Sequence, residues 1–398
     1  MRSLGLGSCA ALLLLPALAH GQTVAPPTAD VDPGEVRAGA LVSLATTTAG
    51  ATLRFAVDST PTCSSGSLYT APVPISGAGS LRVIGCAAGY APSAVSSFAY
   101  TTRTPKTFYV SNAGSDGSDG TSPGTPWAHA PGMNGCTGTC ASTVLIGGDQ
   151  VLLKAGDRWT GTTLVVPRGG DSGANIVLGA YGAGAAPVIA AATDNPTVAV
   201  DAPNRGYWTI SGLNLQATGT TPGLNLAAAI YHGYWTGGAS SDGPEPGWIV
   251  ENNTSQAAFW LTGPNTVVRG NALDGSTNGG TVEGNASHGA ALGAIIISGT
   301  SAPGAEIYEN HISSWSGRGI WLEEGASHAS VHDNVIHDLT SYTPLTTCTC
   351  AMGIDFDGAD VPEVGNVAYR NLIYGIAGPG ISFENSTSRA EPTPTSRT

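Results

Sequence analysis

Four acidic residues toward the C-terminal end of the 398-residue chain are spaced so that they can act together. Three lie in two short runs, Gly319-Ile320-Trp321-Leu322-Glu323-Glu324 and Gly353-Ile354-Asp355-Phe356-Asp357-Gly358. Each run alternates apolar with non-apolar residues, the pattern of a strand whose Ile, Leu and Phe face one side. A later copy, Gly380-Ile381-Ser382-Phe383-Glu384-Asn385, supplies the fourth; an earlier one, Ala294-Ile295-Ile296-Ile297-Ser298-Gly299, supplies none. Residues i and i+2 share a face, so Asp355 and Asp357 point the same way, about 6.6 Å apart along the backbone. If the copies stack as neighbouring strands, Glu323, Asp357 and Glu384 follow one another at roughly 4.8 Å. Carboxylates that close repel unless one keeps a proton, a cation lies between them, or they splay into water.

Each outcome is a different chemistry. Two carboxylates, one protonated, are the acid and base of an inverting glycoside hydrolase. Asp355, Asp357, Glu323 and Glu384 around Ca²⁺ would instead neutralise a uronate beside the proton that a lyase removes. The third outcome is a solvated acidic edge. Aligning the copies gives one outward column of Trp260, Ile296, Trp321, Asp355 and Ser382, and a second of Thr262, Ser298, Glu323, Asp357 and Glu384. Outward Trp260 and Trp321 offer flat surfaces for sugar rings; beneath a loop they are core. A column on a neighbouring face reads Arg269, Tyr308, His332, Tyr369, and with Arg318 it is a polar-aromatic cluster that contains bases. Tyr308, His332 and Tyr369 join the tryptophans as substrate-binding candidates. Five of the eight histidines fall between His288 and His337, none paired at metal-like spacing.

The elements that must hold these residues form a repeat. Five segments align on an Asn: Asn252, Asn271, Asn310, Asn334 and Asn371, at steps of 19, 39, 24 and 37 residues. Four carry an apolar residue two positions on, at Leu273, Ile312, Ile336 and Ile373. Constant strands with variable steps fit a coil whose loops swell while its rungs do not. Stacked rungs let inward asparagines hydrogen-bond in a ladder, a structural role. Upstream stand Phe108-Tyr109-Val110-Ser111, Gly114-Ser115-Asp116-Gly117-Ser118-Asp119-Gly120-Thr121, and Gly148-Asp149-Gln150-Val151-Leu152-Leu153-Lys154-Ala155-Gly156. Together with Tyr207-Trp208-Thr209-Ile210-Ser211-Gly212-Leu213-Asn214-Leu215, these resemble the opening of right-handed parallel β-helix proteins of the pectate-lyase-like superfamily. The resemblance covers about residues 108–385 and implies that fold. It also implies a Lys or Arg base beside acidic calcium ligands in a lyase. Lys154 is far in sequence from the acidic runs, which leaves Arg318 or Arg370 to serve. Asp116 and Asp119 read as turn residues with calcium as the alternative.

An earlier unit alternates in Thr52-Leu53-Arg54-Phe55-Ala56-Val57, Leu81-Arg82-Val83-Ile84 and Ser97-Phe98-Ala99-Tyr100, between Gly- and Pro-rich turns. Short strands at that density predict a small β-sandwich. Pro33-Gly34, Gly50-Ala51-Thr52-Leu53-Arg54-Phe55, Asp58-Ser59-Thr60-Pro61-Thr62, Tyr69 and Ala88-Gly89-Tyr90 resemble the C-terminal domain of chitobiase and β-hexosaminidases. That resemblance implies an accessory module without catalytic residues.

Composition agrees with an all-β chain: 56 Gly, 26 Pro and 11% charged residues. A net charge of −13 with two lysines, Lys106 and Lys154, excludes a general electrostatic grip on nucleic acid or anionic membrane. Arg2, the apolar run through Leu15 and Ala17-Leu18-Ala19 read as a secretory leader, and no later segment has transmembrane length. Six further cysteines in an exported chain favour disulfides, with Cys63–Cys86 and Cys136–Cys140 close in sequence. Cys348 and Cys350 would make a tight link or a soft-metal site. The expected layout is a leader (1–22), a β-sandwich (23–103), the β-helix (104–385) and a polar tail (386–398) that leaves a strand edge open. The expected protein is a secreted or periplasmic monomer that binds and cleaves a polysaccharide, or a non-catalytic carbohydrate-binding or surface-adhesion protein.

Overall fold

The alternating runs that lead to and carry the acidic residues form strands, each paired in parallel with the next along the coil. The computed structural model describes residues 22–191, 197–203, 205–217, 227–232, 245–277, 293–299, 302–340, 351–358, 361–384 and 386–390. Three parallel sheets of ten, eight and eight strands wind as a right-handed parallel β-helix. Side chains that alternate inward make its core: Ile210, Val250, Val268, Ile307, Val331 and Ala368 sit in register in the ten-stranded sheet, all buried. Such a core is shared between rungs, so every rung depends on its neighbours.

The corner after the ten-stranded sheet is fixed by the asparagine ladder. The main-chain and side-chain N–H groups of Asn271 donate to Asn310 Oδ1 at 3.1 and 2.9 Å, and those of Asn310 donate to Asn334 Oδ1 at 3.0 Å. Asn334 repeats this on Asn371. The first member is Asn253 rather than Asn252: Asn253 donates to Asn271 Oδ1, while Asn252 turns the corner at φ 56°. That left-handed position precedes each ladder residue, and Gly270, Glu309, Asp333 and Arg370 share it. Two adjacent asparagines made the alignment ambiguous, and the backbone decides it. Asn310→Ala strands the buried donors of Asn271 and the Val268 carbonyl. At about 1–3 kcal/mol per orphaned group, a loss of about 3 kcal/mol or more is expected in urea unfolding. A loss under about 1 kcal/mol would remove the ladder from the stability account.

The chain divides into two compact units. One comprises residues to Ala29 with Leu44–Ala71 and Gly79–Phe98; the other comprises Asp30–Ser43, Pro72–Ala78 and Ala99–Thr398. In the first, Thr52–Val57 pairs antiparallel with Gly79–Cys86 and with Ser67–Leu68 over buried Leu53, Leu81 and Val83. The Cys63–Cys86 disulfide forms there, and Cys136–Cys140 forms in the second unit, as closeness in sequence predicts. Cys348, Cys350 and the leader lie outside the described residues. Asp116 and Asp119 act as turn residues, accepting main-chain N–H groups from Ala128, His129 and Thr121. No helix among the described residues is long and apolar enough to cross a membrane.

The coil continues past residue 385: Arg389–Ala390, expected to be tail, pairs with Val367–Tyr369 in the ten-stranded sheet. A parallel edge offers unpaired N–H and C=O groups, and even a polar segment can extend it. In the other two sheets the last strands leave Leu372, Tyr374 and Phe383 exposed.

Candidate active site

The carboxylates sit on the last strands of the sheet that runs from Leu164–Val165 to Ile381–Glu384. Along Arg318–Glu323, Ile320 and Leu322 point into the core, and Trp321 and Glu323 point out. Ile354–Asp357 repeats this with Ile354 and Phe356 inside and Asp355 and Asp357 outside. The register sets Ile296, Trp321, Asp355 and Ser382 in one outward column and Ser298, Glu323, Asp357 and Glu384 in the next. Both columns match the alignment read from sequence. Gly occupies positions 319 and 353 because a Cβ at either would lie 2.5–2.7 Å from backbone oxygen on the following rung and from an Ile methyl.

Outward here does not mean wet. Asp355 is wholly buried and Arg318 is 6% exposed. Arg318 Nε donates to Asp355 Oδ2 at 2.5 Å, and its Nη2 lies 3.7 Å from Asp357 Oδ2. The guanidinium stacks on Trp321, 4.1 Å from the ring centroid, and Trp321 Nε1 donates to Asp357 Oδ2 at 3.3 Å. One cation therefore serves two carboxylates, and a tryptophan fixes its plane. Asp355 Oδ1 has no hydrogen-bond partner among the described residues. Burial pushes the Asp355 carboxyl up, against the pull of Arg318.

Among the described residues Glu323 has no such cation in a salt bridge with it. Loss of hydration, then the neighbouring Glu324 and Asp357 charges, push its carboxyl up to about 8. A Ser298 hydrogen bond and the Arg318 charge oppose this and are outweighed. Glu384, on the next rung, is also pushed up, first by desolvation and then by the Asp357 and Asp355 charges. Sequence reading missed Glu363. It is wholly buried, accepts from Asn366 Nδ2 at 2.9 Å, and is pushed up to about 9 by burial and by the charges of Asp357, Asp355 and Glu323. Its signal lay in the turns: Glu363-Val364-Gly365-Asn366 occupies the same place before its strand as Glu245-Pro246-Gly247-Trp248.

These shifts share a sign, and so does their consequence. A carboxyl with a raised folded-state pKa holds its proton longer when folded, so its stabilising contribution is complete below about 4.5. That contribution is lost as pH rises through about 8 for Glu323 and about 9 for Glu363. The melting temperature is expected to fall steadily from pH 5 to pH 9. A flat profile in thermal melts would contradict the raised proton affinities of Glu323 and Glu363.

The other candidates are placed differently. Trp260 is half-buried and meets Tyr231 edge to face at 5.7 Å; Trp321 is 6% exposed beneath Arg318. Neither tryptophan is a bare platform. Tyr308, His332 and Tyr369 lie in a different sheet, the ten-stranded one, apart from the carboxylate columns. Their rings stack on one another at 5.0 and 4.7 Å, nearly parallel, with Arg269 and Arg370 over the outer two. Rung spacing equals ring-stacking distance, so the ring faces are taken by neighbours and the edges face solvent. Arg370, the other base considered, is held by Asp333 at 2.5 Å outside the patch.

For a metal, Arg318 takes the place between Asp355 and Asp357 that a cation would need. Among the described residues no three His, Cys, Asp or Glu side chains are arranged to hold an ion. Chemically the patch offers two carboxyls pushed up past neutrality, Glu323 and Glu363, a neighbouring Asp357 in contact with an arginine, and a buried Asp355 oxygen positioned to accept.

Residues 31–97 match the family model of the chitobiase/beta-hexosaminidase C-terminal domain. No curated protein matches the chain. Among solved structures the chain is similar to native GH136 lacto-N-biosidase from Eubacterium ramulus: 14% identity over 72% of this chain and 67% of that one, TM-score 0.37. It is similar to XylC, solved in complex with xylose, at 13% identity over 71% and 64% of the two chains, TM-score 0.46. It is also similar to pectate lyase Pel9A, at 13% identity over 73% and 78%, TM-score 0.37. The fold assignment rests on the sheet topology described above.

Proposed function

We propose that the chain is an exported carbohydrate-active protein that hydrolyses a polysaccharide, with Glu323 as proton donor and Asp357 as its partner carboxylate. The observation that carries this reading is the pairing of Glu323 with Asp357 on adjacent rungs, only the latter in contact with Arg318. Desolvation holds the proton on Glu323, which suits it to act as the acid and leaves the adjacent Asp357 to act as its partner. Glu323 would give its proton to the glycosidic oxygen as the anomeric C–O bond breaks. Asp357 would take the proton of the attacking water, or attack directly; the separation of the two carboxyls selects between inversion and retention. Asp355 would hold Arg318 in place, and its free Oδ1 would accept a substrate hydroxyl or water. Two disulfides support an oxidising, extracytoplasmic compartment.

Elimination is less well supported because Arg318, the nearest base, is tied to Asp355 and stacked on Trp321. A guanidinium so paired does not give up its proton. The test is incubation with a panel of neutral and uronate polysaccharides, with and without a calcium chelator. Hydrolysis predicts new reducing ends without ultraviolet-absorbing unsaturated ends, unaffected by the chelator. Unsaturated, chelator-sensitive products would replace this reading with a calcium-dependent lyase.

A further inference from the structure

A second cluster on the β-helix lies in the sheet that runs from Arg158–Thr160 to Leu372–Tyr374, away from the carboxylate strands. His311 and His337 stand on adjacent strands, diagonal to each other with an offset of two residues, in the register His311↔Val335 and Ser313↔His337. Their Nε2 atoms lie 2.8 Å apart and point at each other, with ring centroids at 5.0 Å. His311 is exposed, and the His337 side chain is 17% exposed. His337 Nδ1 meets Asp338 Oδ2 at 2.8 Å, and its ring stacks on Tyr374 at 4.8 Å and 7°.

We infer that His311 and His337 form a two-imidazole chelate for a late first-row divalent metal ion, Cu²⁺ most tightly. Three features carry this. A carboxylate on the far nitrogen is the usual companion of a metal-binding histidine, because it fixes the tautomer that leaves Nε2 unprotonated. With Nδ1–H of His337 given to Asp338, Nε2 of His337 presents a lone pair toward His311. His311 needs only to carry its proton on Nδ1 to present a second lone pair at the same point. Finally, both residues sit on paired strands, and Tyr374 limits rotation of the His337 ring, so the donors are positioned in advance. Imidazole nitrogen suits Cu²⁺, Zn²⁺ and Ni²⁺ and not Ca²⁺. Two protein ligands leave the remaining positions to water or an outside ligand, in accord with the lack of any three-ligand cluster among the described residues. This site is independent of the proposed hydrolysis.

The experiment uses the full chain without a polyhistidine tag. Cu²⁺ is titrated by calorimetry, and the bound ion is examined by electron paramagnetic resonance. Expected are one site per chain, nitrogen hyperfine structure from two imidazoles, and loss of that site in His311→Ala and in His337→Ala. Both are surface changes whose folding is checked by circular dichroism. Asp338→Asn keeps the left-handed backbone at that position (φ 57°) and is expected to weaken binding about 10- to 100-fold. Binding that survives both alanine variants, or a spectrum without coupled nitrogen, would overturn the assignment.

Discussion

Glu323→Gln is expected to lower the rate of polysaccharide cleavage by roughly 10²–10⁴-fold while polysaccharide binding persists. Glutamine keeps the shape and hydrogen-bonding capacity of a protonated carboxyl and cannot release a proton. Burial and the adjoining Glu324 and Asp357 charges hold the wild-type carboxyl near 8, so cleavage should decline as pH rises through that value. The same substitution has a second, opposite signature. Wild type must either keep a proton on Glu323 or confine another negative charge beside Asp357. The variant is relieved of this above pH 8 and should be more stable there than wild type. Activity–pH profiles and melts at pH 6 and pH 9 check the two halves together. A variant that cleaves at the wild-type rate would remove Glu323 from the chemistry.

Arg318→Met should destabilise the β-helix by about 3–5 kcal/mol, the usual cost of leaving a buried charge unpaired. Asp355 is wholly buried and loses its hydrogen-bonded cation, and Trp321 loses the plane stacked on it. The Arg318→Met/Asp355→Leu double variant should recover most of that loss, because apolar pairs of similar volume replace buried ion pairs at little cost. Both variants should fail to cleave. Urea unfolding measures the stabilities. A single variant within about 1 kcal/mol of wild type would mean that water reaches Asp355 and that the pair is not buried.

The geometry of the site strands was legible in their alternation. Apolar residues at Ile320, Leu322, Ile354 and Phe356 fix which side chains face out, and period two leaves no freedom in register once one pair is matched. Hence Glu323, Asp357 and Glu384 fall where the alignment puts them. What lies over a face leaves no mark in its alternation, so burial of Asp355 and Trp321 was not legible. Arg318 stands at the start of its strand, and sequence could nominate it without revealing that it would be shared by two carboxylates. Glu363 escaped because it belongs to a turn, outside the strand alternation, and only its place before a strand, shared with Glu245, marks it. The aromatic column was read correctly as a column, yet its stacking followed from rung spacing alone and could have been inferred.

The most direct test places wild type and Glu323→Gln side by side on a polysaccharide that retards the protein in affinity electrophoresis. The account predicts equal retardation, with new reducing ends released by wild type and about a hundredth as many or fewer by the variant. Equal retardation with no ends from either would contradict it, and would make the chain a non-catalytic carbohydrate-binding protein.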